Sequence, residues 1–213
     1  MKGLIRKDFI SIWAYCRNYF LVCGIFLAAS VFAPEYGFLR MYPLILMGLL
    51  PTTLVAYDER DKWDRLCLTM PLSRRQIVIA RYLSGGILQS GVFLVSAMGF
   101  AVQSVMFQRG IVLEEFLMDL AVLMLLGLAA PTLMLPFVYK LGSERGRMST
   151  LVASAILGVI LYLSAGTVGS GDVMKLMQNV SLTAAALAIM AACLMLYGLS
   201  CALAIHWYEK REF

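Results

Sequence analysis

Asp58-Glu59-Arg60-Asp61-Lys62-Trp63-Asp64-Arg65-Leu66-Cys67-Leu68-Thr69-Met70-Pro71-Leu72-Ser73-Arg74-Arg75 is the one long charged stretch in an otherwise mostly apolar chain. Hydrophobic spans flank it on both sides, and reading it as a connector between membrane crossings decides the fold. Of 213 residues, 61% are hydrophobic and 15% charged, and the mean hydropathy is +0.81. A soluble core of this size cannot hide that much apolar surface, so much of it has to face lipid.

A crossing helix needs about 20 mainly apolar residues. Six stretches qualify, near 18–34, 42–57, 83–106, 116–139, 149–168 and 180–206. The expected fold is an all-α integral membrane protein of six transmembrane helices in one domain, 1–213, with almost nothing left for a soluble domain. Cation placement orients it. With both termini cytoplasmic, Lys2, Arg6, Lys7, Arg17, Arg60, Lys62, Arg65, Arg74, Arg75, Arg81, Lys140, Arg145, Arg147, Lys210 and Arg211 lie inside, and only Arg40, Arg109 and Lys175 outside, which accounts for all 18. Loops rich in Lys and Arg resist translocation, so the net charge of +5 reflects topology and not affinity for nucleic acid.

Residues 2–17 place Ile5, Phe9, Ile12, Trp13 and Cys16 at helical spacing, with Lys2, Arg6 and Lys7 elsewhere on the wheel. No small-residue cleavage site follows, so the segment reads as an amphipathic helix on the inner leaflet and not as a cleavable signal. A cytosolic extension of the first span is the alternative. The five cysteines, Cys16, Cys23, Cys67, Cys193 and Cys201, lie in spans or on the proposed cytoplasmic side, so no structural disulfide is expected. No C-x-x-C pair exists and His206 is the only histidine, which argues against a metal site.

No catalytic motif is present either. The nearest approach to a phosphate-cradling loop, Gly142-Ser143-Glu144-Arg145-Gly146-Arg147-Met148-Ser149, has the wrong glycine spacing and lacks the lysine. It reads as a loop. One histidine beside the C-terminus supports no hydrolytic triad, so the chain is not expected to be an enzyme. The spans carry only mild polar groups, such as Thr52, Gln89, Ser96, Gln103 and Ser154, and no ionisable residue of the kind that marks an ion pathway. Energy for any transport has to come from another protein.

Within the charged stretch, Trp63, Leu66, Cys67 and Met70 recur at i, i+3, i+4 and i+7, predicting a short helix over 58–70 with one apolar stripe. Pro71 ends it, and Ser73-Arg74-Arg75-Gln76 fits a capping box that opens the next helix. That helix would run through Arg81 into the third span as one rod, unless Gly85-Gly86 is a hinge. A solvated connector is the alternative reading of the stretch.

Asp58-Glu59, Trp63-Asp64, then Leu68-Thr69-Met70-Pro71-Leu72-Ser73-Arg74-Arg75-Gln76-Ile77-Val78-Ile79-Ala80-Arg81-Tyr82 resembles the permease subunits of ABC-2 type exporters. The similarity is greatest to the compact branch that includes phenol-soluble modulin exporter permeases. The opening Met1-Lys2-Gly3-Leu4-Ile5-Arg6-Lys7-Asp8 also looks like that branch, whereas Arg81 stands where lysine is common. Both are cations, so that departure reads as minor.

The resemblance implies a coupling helix between spans two and three that docks on a separate ATPase subunit, which would hold the ATP and Mg2+; this chain holds no cofactor. Asp58, Glu59, Lys62, Trp63, Asp64, Leu66, Cys67, Met70, Pro71, Ser73 and Arg74 would form that contact. Further implied are a second permease chain, identical or a paralogue, a plasma-membrane location, and export of an amphipathic or cytotoxic peptide. Lipid or drug efflux, or a non-transporting scaffold or sensor, are the alternatives.

Three small-residue ladders, Gly86 with Ser90, Ser154 with Gly158, and Ala184 with Ala188 and Ala192, are candidates for close helix packing. Pro43, Pro51, Pro131 and Pro136 are candidates for kinks.

Overall fold

Backbone polar groups have no water to bond with in hydrocarbon, so apolar stretches of this length satisfy them internally as helices. The computed structural model describes residues 2–32, 38–63, 66–67, 73–107, 113–152, 155 and 181–210. Its long helices are α1 (Lys2–Phe32), α2 (Met41–Arg60), α3 (Arg74–Met106), α4 (Leu113–Leu141) and α5 (Leu182–Glu209). All five are long and apolar enough to cross a membrane, and together they make a multi-pass bundle. The stretch expected to cross at 149–168 lies mostly outside the described residues.

The burial pattern sorts these helices into two roles. In the most apolar stretch of α2, 56% is buried within the bundle, and in α4 44%, against 17% in each of α1, α3 and α5. Thus α2 and α4 form the centre. The other three present apolar faces outward, among them Leu21, Ile25, Leu94, Met98, Leu196 and Leu199.

Cross-helix contacts fix the directions. Residues 8 and 30 of α1 meet 84 and 103 of α3, so that pair is parallel. Lys7 meets Asp58 and Cys23 meets Pro43, making α1 and α2 antiparallel. Between α4 and α5, Thr132 meets Ser200 and Tyr139 meets Tyr208, a parallel pair. The N-terminus of α1 and the C-termini of α2, α4 and α5 therefore share one end with the start of α3. Arg40 and Asp119 pair at the other end, 3.2 Å apart.

Residues 2–17 do not form a separate interfacial helix. They are the first half of α1, which continues unbroken through Phe32. Asp8, Ile12 and Cys16 lie one turn apart on a buried seam that continues at Cys23 and Ser30, so packing against α2 and α3 aligns the segment with the span.

Prolines and glycines set the closest approaches. A proline frees the carbonyl four residues earlier. Pro136 frees that of Thr132, and the Ser200 hydroxyl of α5 donates to it at 2.7 Å while sharing a 2.8 Å hydrogen bond with Tyr82. Near the carbonyl of Gly127, freed by Pro131, α2 comes so close that a Cβ on Gly48 would stand 2.5 Å from the oxygen. Along α3, Val78, Tyr82, Gly85, Gln89, Ser96 and Gln103 mark a buried seam of alternating four- and three-residue steps, or their sums. The helix passes through Gly85-Gly86 without a break, with Gly85 against the Pro51 ring.

Candidate functional site

The charged stretch does not fold as one helix from Asp58. Helix α2 continues to Arg60, and the chain turns at Asp61-Lys62, where Lys62 takes a left-handed conformation with φ of 54°. Helix resumes among the described residues at 63 and 66–67. The expected apolar stripe is therefore cut off from Asp58 and Glu59. Trp63 is half-buried, Cys67 fully buried and Leu66 50% exposed. Asp64, Met70 and Pro71 lie outside the described residues.

Asp58 instead closes a cluster of four charges at the shared end. Lys7 Nζ from α1 donates to both Asp58 carboxylate oxygens at 2.5 and 2.6 Å. Arg81 Nη2 from α3 pairs with Asp58 Oδ2, and Arg81 Nη1 lies 3.1 Å from Asp8 Oδ1. The Ser84 hydroxyl donates to Asp8 Oδ2 at 2.9 Å. Two cations and two carboxylates make the cluster neutral. The Asp8 and Arg81 side chains are each 6% exposed, so this pair is enclosed while Asp58 and Lys7 are only partly covered, and enclosed charges persist in an interior only when paired. The ammonium of Lys7 also sits 4.5 Å from the centre of the Trp63 ring, joining the turn to the cluster by a cation–π contact.

Two neighbouring contacts extend this joint. Glu59 Oε2 accepts the Ser143 backbone N–H at 2.7 Å. Residues 143–150 are helical, which corrects their reading as a loop. Gly142, with φ of 89°, makes the sharp turn out of α4, and the backbone of Val138 stands where a Cβ on Gly146 would fall. Glu59 thus places a carboxylate at a helix N-terminus, where the dipole favours an anion. Arg74 Nη1 donates to the carbonyls of Tyr208 and Glu209, at 3.4 and 3.1 Å, and so covers the C-terminus of α5. Ser73 forms the expected capping box with Gln76, with both hydrogen bonds at 3.3 Å.

Of the residues the sequence singled out, Asp58, Glu59 and Arg74 are therefore held by their own chain, while Arg60, Asp61 and Lys62 form the exposed tip. Sequence reading missed Lys7 and Asp8 as members of the site. The one available signal was a carboxylate on the same helical stripe as Ile12 and Cys16.

The packing ladders are arranged differently from expectation. Gly86 and Ser90 line a gap between α3 and α5, and Ala184, Ala188 and Ala192 are exposed. Ser154 and Gly158 lie outside the described residues. The tight approaches are at Gly48, Gly85, Gly127 and Gly146, where a glycine on one helix meets backbone or an inward-reaching side chain of another element.

The charged turn is tied to α1, to α3 and to the helix after Gly142, and Arg74 ties the start of α3 to the end of α5. The sequence matches the family described as ABC-2 family transporter protein over residues 3–209. No curated protein matches it.

Proposed function

The chain belongs to the ABC-2 family of transporter proteins, and from that premise we propose that it is the permease subunit of an exporter driven by a separate ATPase. That ATPase grips the turn at Asp61-Lys62, together with Trp63 and Leu66, from the cytoplasm. One observation carries the reading. The exposed tip Arg60-Asp61-Lys62 is rooted, through Asp58, Glu59 and the Lys7–Trp63 contact, in α1, α3 and the helix after Gly142. Force applied at the tip reaches those elements together, because an enclosed charge cluster cannot be pulled apart cheaply. The bundle therefore moves as units and does not bend locally.

A second permease chain completes the transporter, and both termini face the cytoplasm of the plasma membrane. The cargo is an amphipathic peptide, supported by outward faces of Leu, Met and Ile without fixed charge on α3 and α5. ATP and Mg2+ reside in the ATPase.

Co-purification with the ATPase tests the docking surface. Leu66→Asp and Trp63→Ala are expected to weaken retention of the ATPase and uncouple its hydrolysis, with Leu66→Asp leaving the unfolding temperature of the permease unchanged. Unaltered retention and unaltered hydrolysis in both variants would remove the assignment. Proteoliposomes holding both subunits and a panel of amphipathic peptides then test the cargo.

A further inference from the structure

Arg17 is the middle residue of α1, which runs from Lys2 to Phe32. Contacts on either side of it fix its depth. Lys7 and Asp8 belong to the charge cluster at one end of the bundle, and Ser30 meets Gln103 towards the opposite end. At 1.5 Å per residue, Arg17 stands about 14 Å beyond Asp8 and about 20 Å short of Ser30. By sequence it closes the segment 2–17 ahead of the first span, but with that segment aligned as part of the span it becomes an intramembrane cation.

Arg17 points away from the bundle. Ile10, Trp13, Arg17, Leu21 and Ile25 recur every three or four residues, so they share one face of α1, and all five are exposed. Lys2 and Arg6, also exposed, end this face on the side of the charge cluster. Cations near helix ends reach the headgroups by snorkelling. Arg17 is about 16 Å deeper along the helix than Arg6, and the face between them carries Ile10 and Trp13. Among the described residues none forms a hydrogen bond or ion pair with it. A charge facing hydrocarbon is costly, and ionisable residues within a membrane face the bundle interior or a water-filled cavity and take a partner there. The interior lies on the opposite face of α1, along Asp8, Ile12, Cys16 and Cys23, which leaves a wet cleft for Arg17.

The flanking side chains define what fits that cleft. A guanidinium between Trp13 on one side and Leu21 on the other suits an amphipathic partner that brings one carboxylate. The planar fork takes both carboxylate oxygens at once, and the apolar residues above and below receive the partner's own apolar side chains. A two-fold contact with the same face of a second copy is disfavoured at this level, because it would bring two cations together. We infer that this face of α1 lines the transport path and that Arg17 receives a carboxylate of the peptide cargo. The inference rests on the peptide-export reading and adds the cargo group that the permease selects.

Two measurements test it, both on the permease assembled with its ATPase. The first places Arg17→Cys or Lys2→Cys in a chain whose five native cysteines are replaced by alanine, in phosphatidylcholine nanodiscs, and follows modification by a water-soluble methanethiosulfonate. A thiol reacts as its thiolate, which apolar surroundings suppress, so a wet position 17 should react within roughly tenfold of the rate at position 2. No modification at 17 after position 2 is fully modified puts the face in lipid and overturns the inference, whatever the cargo. The second follows uptake into proteoliposomes of two amphipathic helical peptides of Leu, Ala and Ser, identical except for one Glu or Gln within the apolar face. The Glu peptide is expected to show a KM roughly tenfold lower, the scale of a charge-assisted hydrogen bond. Arg17→Gln should give the two peptides equal KM, and Arg17→Lys should keep part of the difference. Equal KM in the native transporter, or a Glu preference that survives Arg17→Gln, overturns the inference. Modification at 17 with uptake of neither peptide rejects the peptide-cargo reading, and the carboxylate assignment with it.

Discussion

Arg81 holds the joint together. Its planar fork reaches Asp8 with one nitrogen and Asp58 with the other, a division that a lysine's single ammonium cannot reproduce. Without it, two carboxylates whose side chains are 6% and 14% exposed share Lys7 as the one cation of the cluster, with the Ser84 hydroxyl on Asp8. Breaking a buried pair on one side costs about 3–5 kcal/mol. Arg81→Met is expected to lower the unfolding free energy in detergent micelles by that order, with Arg81→Lys intermediate. Lys7→Met should cost only about 1 kcal/mol, because its side chain is 23% exposed. Equal losses in Arg81→Met and Lys7→Met would show that the guanidinium has no special place. Sequence reading recognised Arg81 as a cation entering a span but treated lysine as its equivalent, since spacing does not reveal how many acids converge on one side chain. Asp8 was less legible still. Beside Lys7 it reads as part of a wet face, and only the packing of α2 and α3 over that stripe encloses it.

At the level of elements, the prolines of the central helices act through the carbonyls they release. Thr132 is the clearest case, because the hydroxyl of Ser200 takes over the bond that residue 136 would have made as any amino acid but proline. Removing that hydroxyl from the native chain leaves a buried carbonyl unpaired and should cost about 1–3 kcal/mol. In a Pro136→Ala background the helix can close its own bond, so Ser200→Ala should cost measurably less, and a double-mutant cycle on thermal or denaturant unfolding reads the difference. Strict additivity would mean that Ser200 serves Tyr82 and not the proline. The existence of α2, α3, α4 and α5, and the capping box at Ser73, were legible because apolar run length and cap chemistry are local properties. The end of α2 was not. A lysine in a left-handed turn is held there by its surroundings, against its own preference, so the periodic stripe through Trp63, Leu66 and Cys67 gave no sign that the helix would break before it. The small-residue ladders were misleading for a related reason: four-residue spacing shows that a helix could be approached closely, not which helix does so.

Across the whole molecule, direction is the informative property. Because α4 and α5 run parallel, the start of α5 lies at the opposite end of the bundle from the end of α4, and the chain between them has to return across it. The Lys7 and Arg74 contacts place Lys2 and Lys210 at the end that holds the charge cluster. The uneven division of Lys and Arg puts both termini on the cytoplasmic side as an expectation, since it depends on loop composition and not on packing. Membrane-impermeant maleimide tests it, in a chain whose five native cysteines are replaced by alanine. Lys2→Cys and Lys210→Cys, both at exposed positions, should be labelled only from the cytoplasmic face of oriented vesicles, and Glu114→Cys, exposed at the start of α4, only from the outer face. Labelling of Lys210→Cys from the same face as Glu114→Cys would mean an odd number of crossings. It would also strand the α5 terminus away from Arg74, which the hydrogen bonds to Tyr208 and Glu209 do not allow.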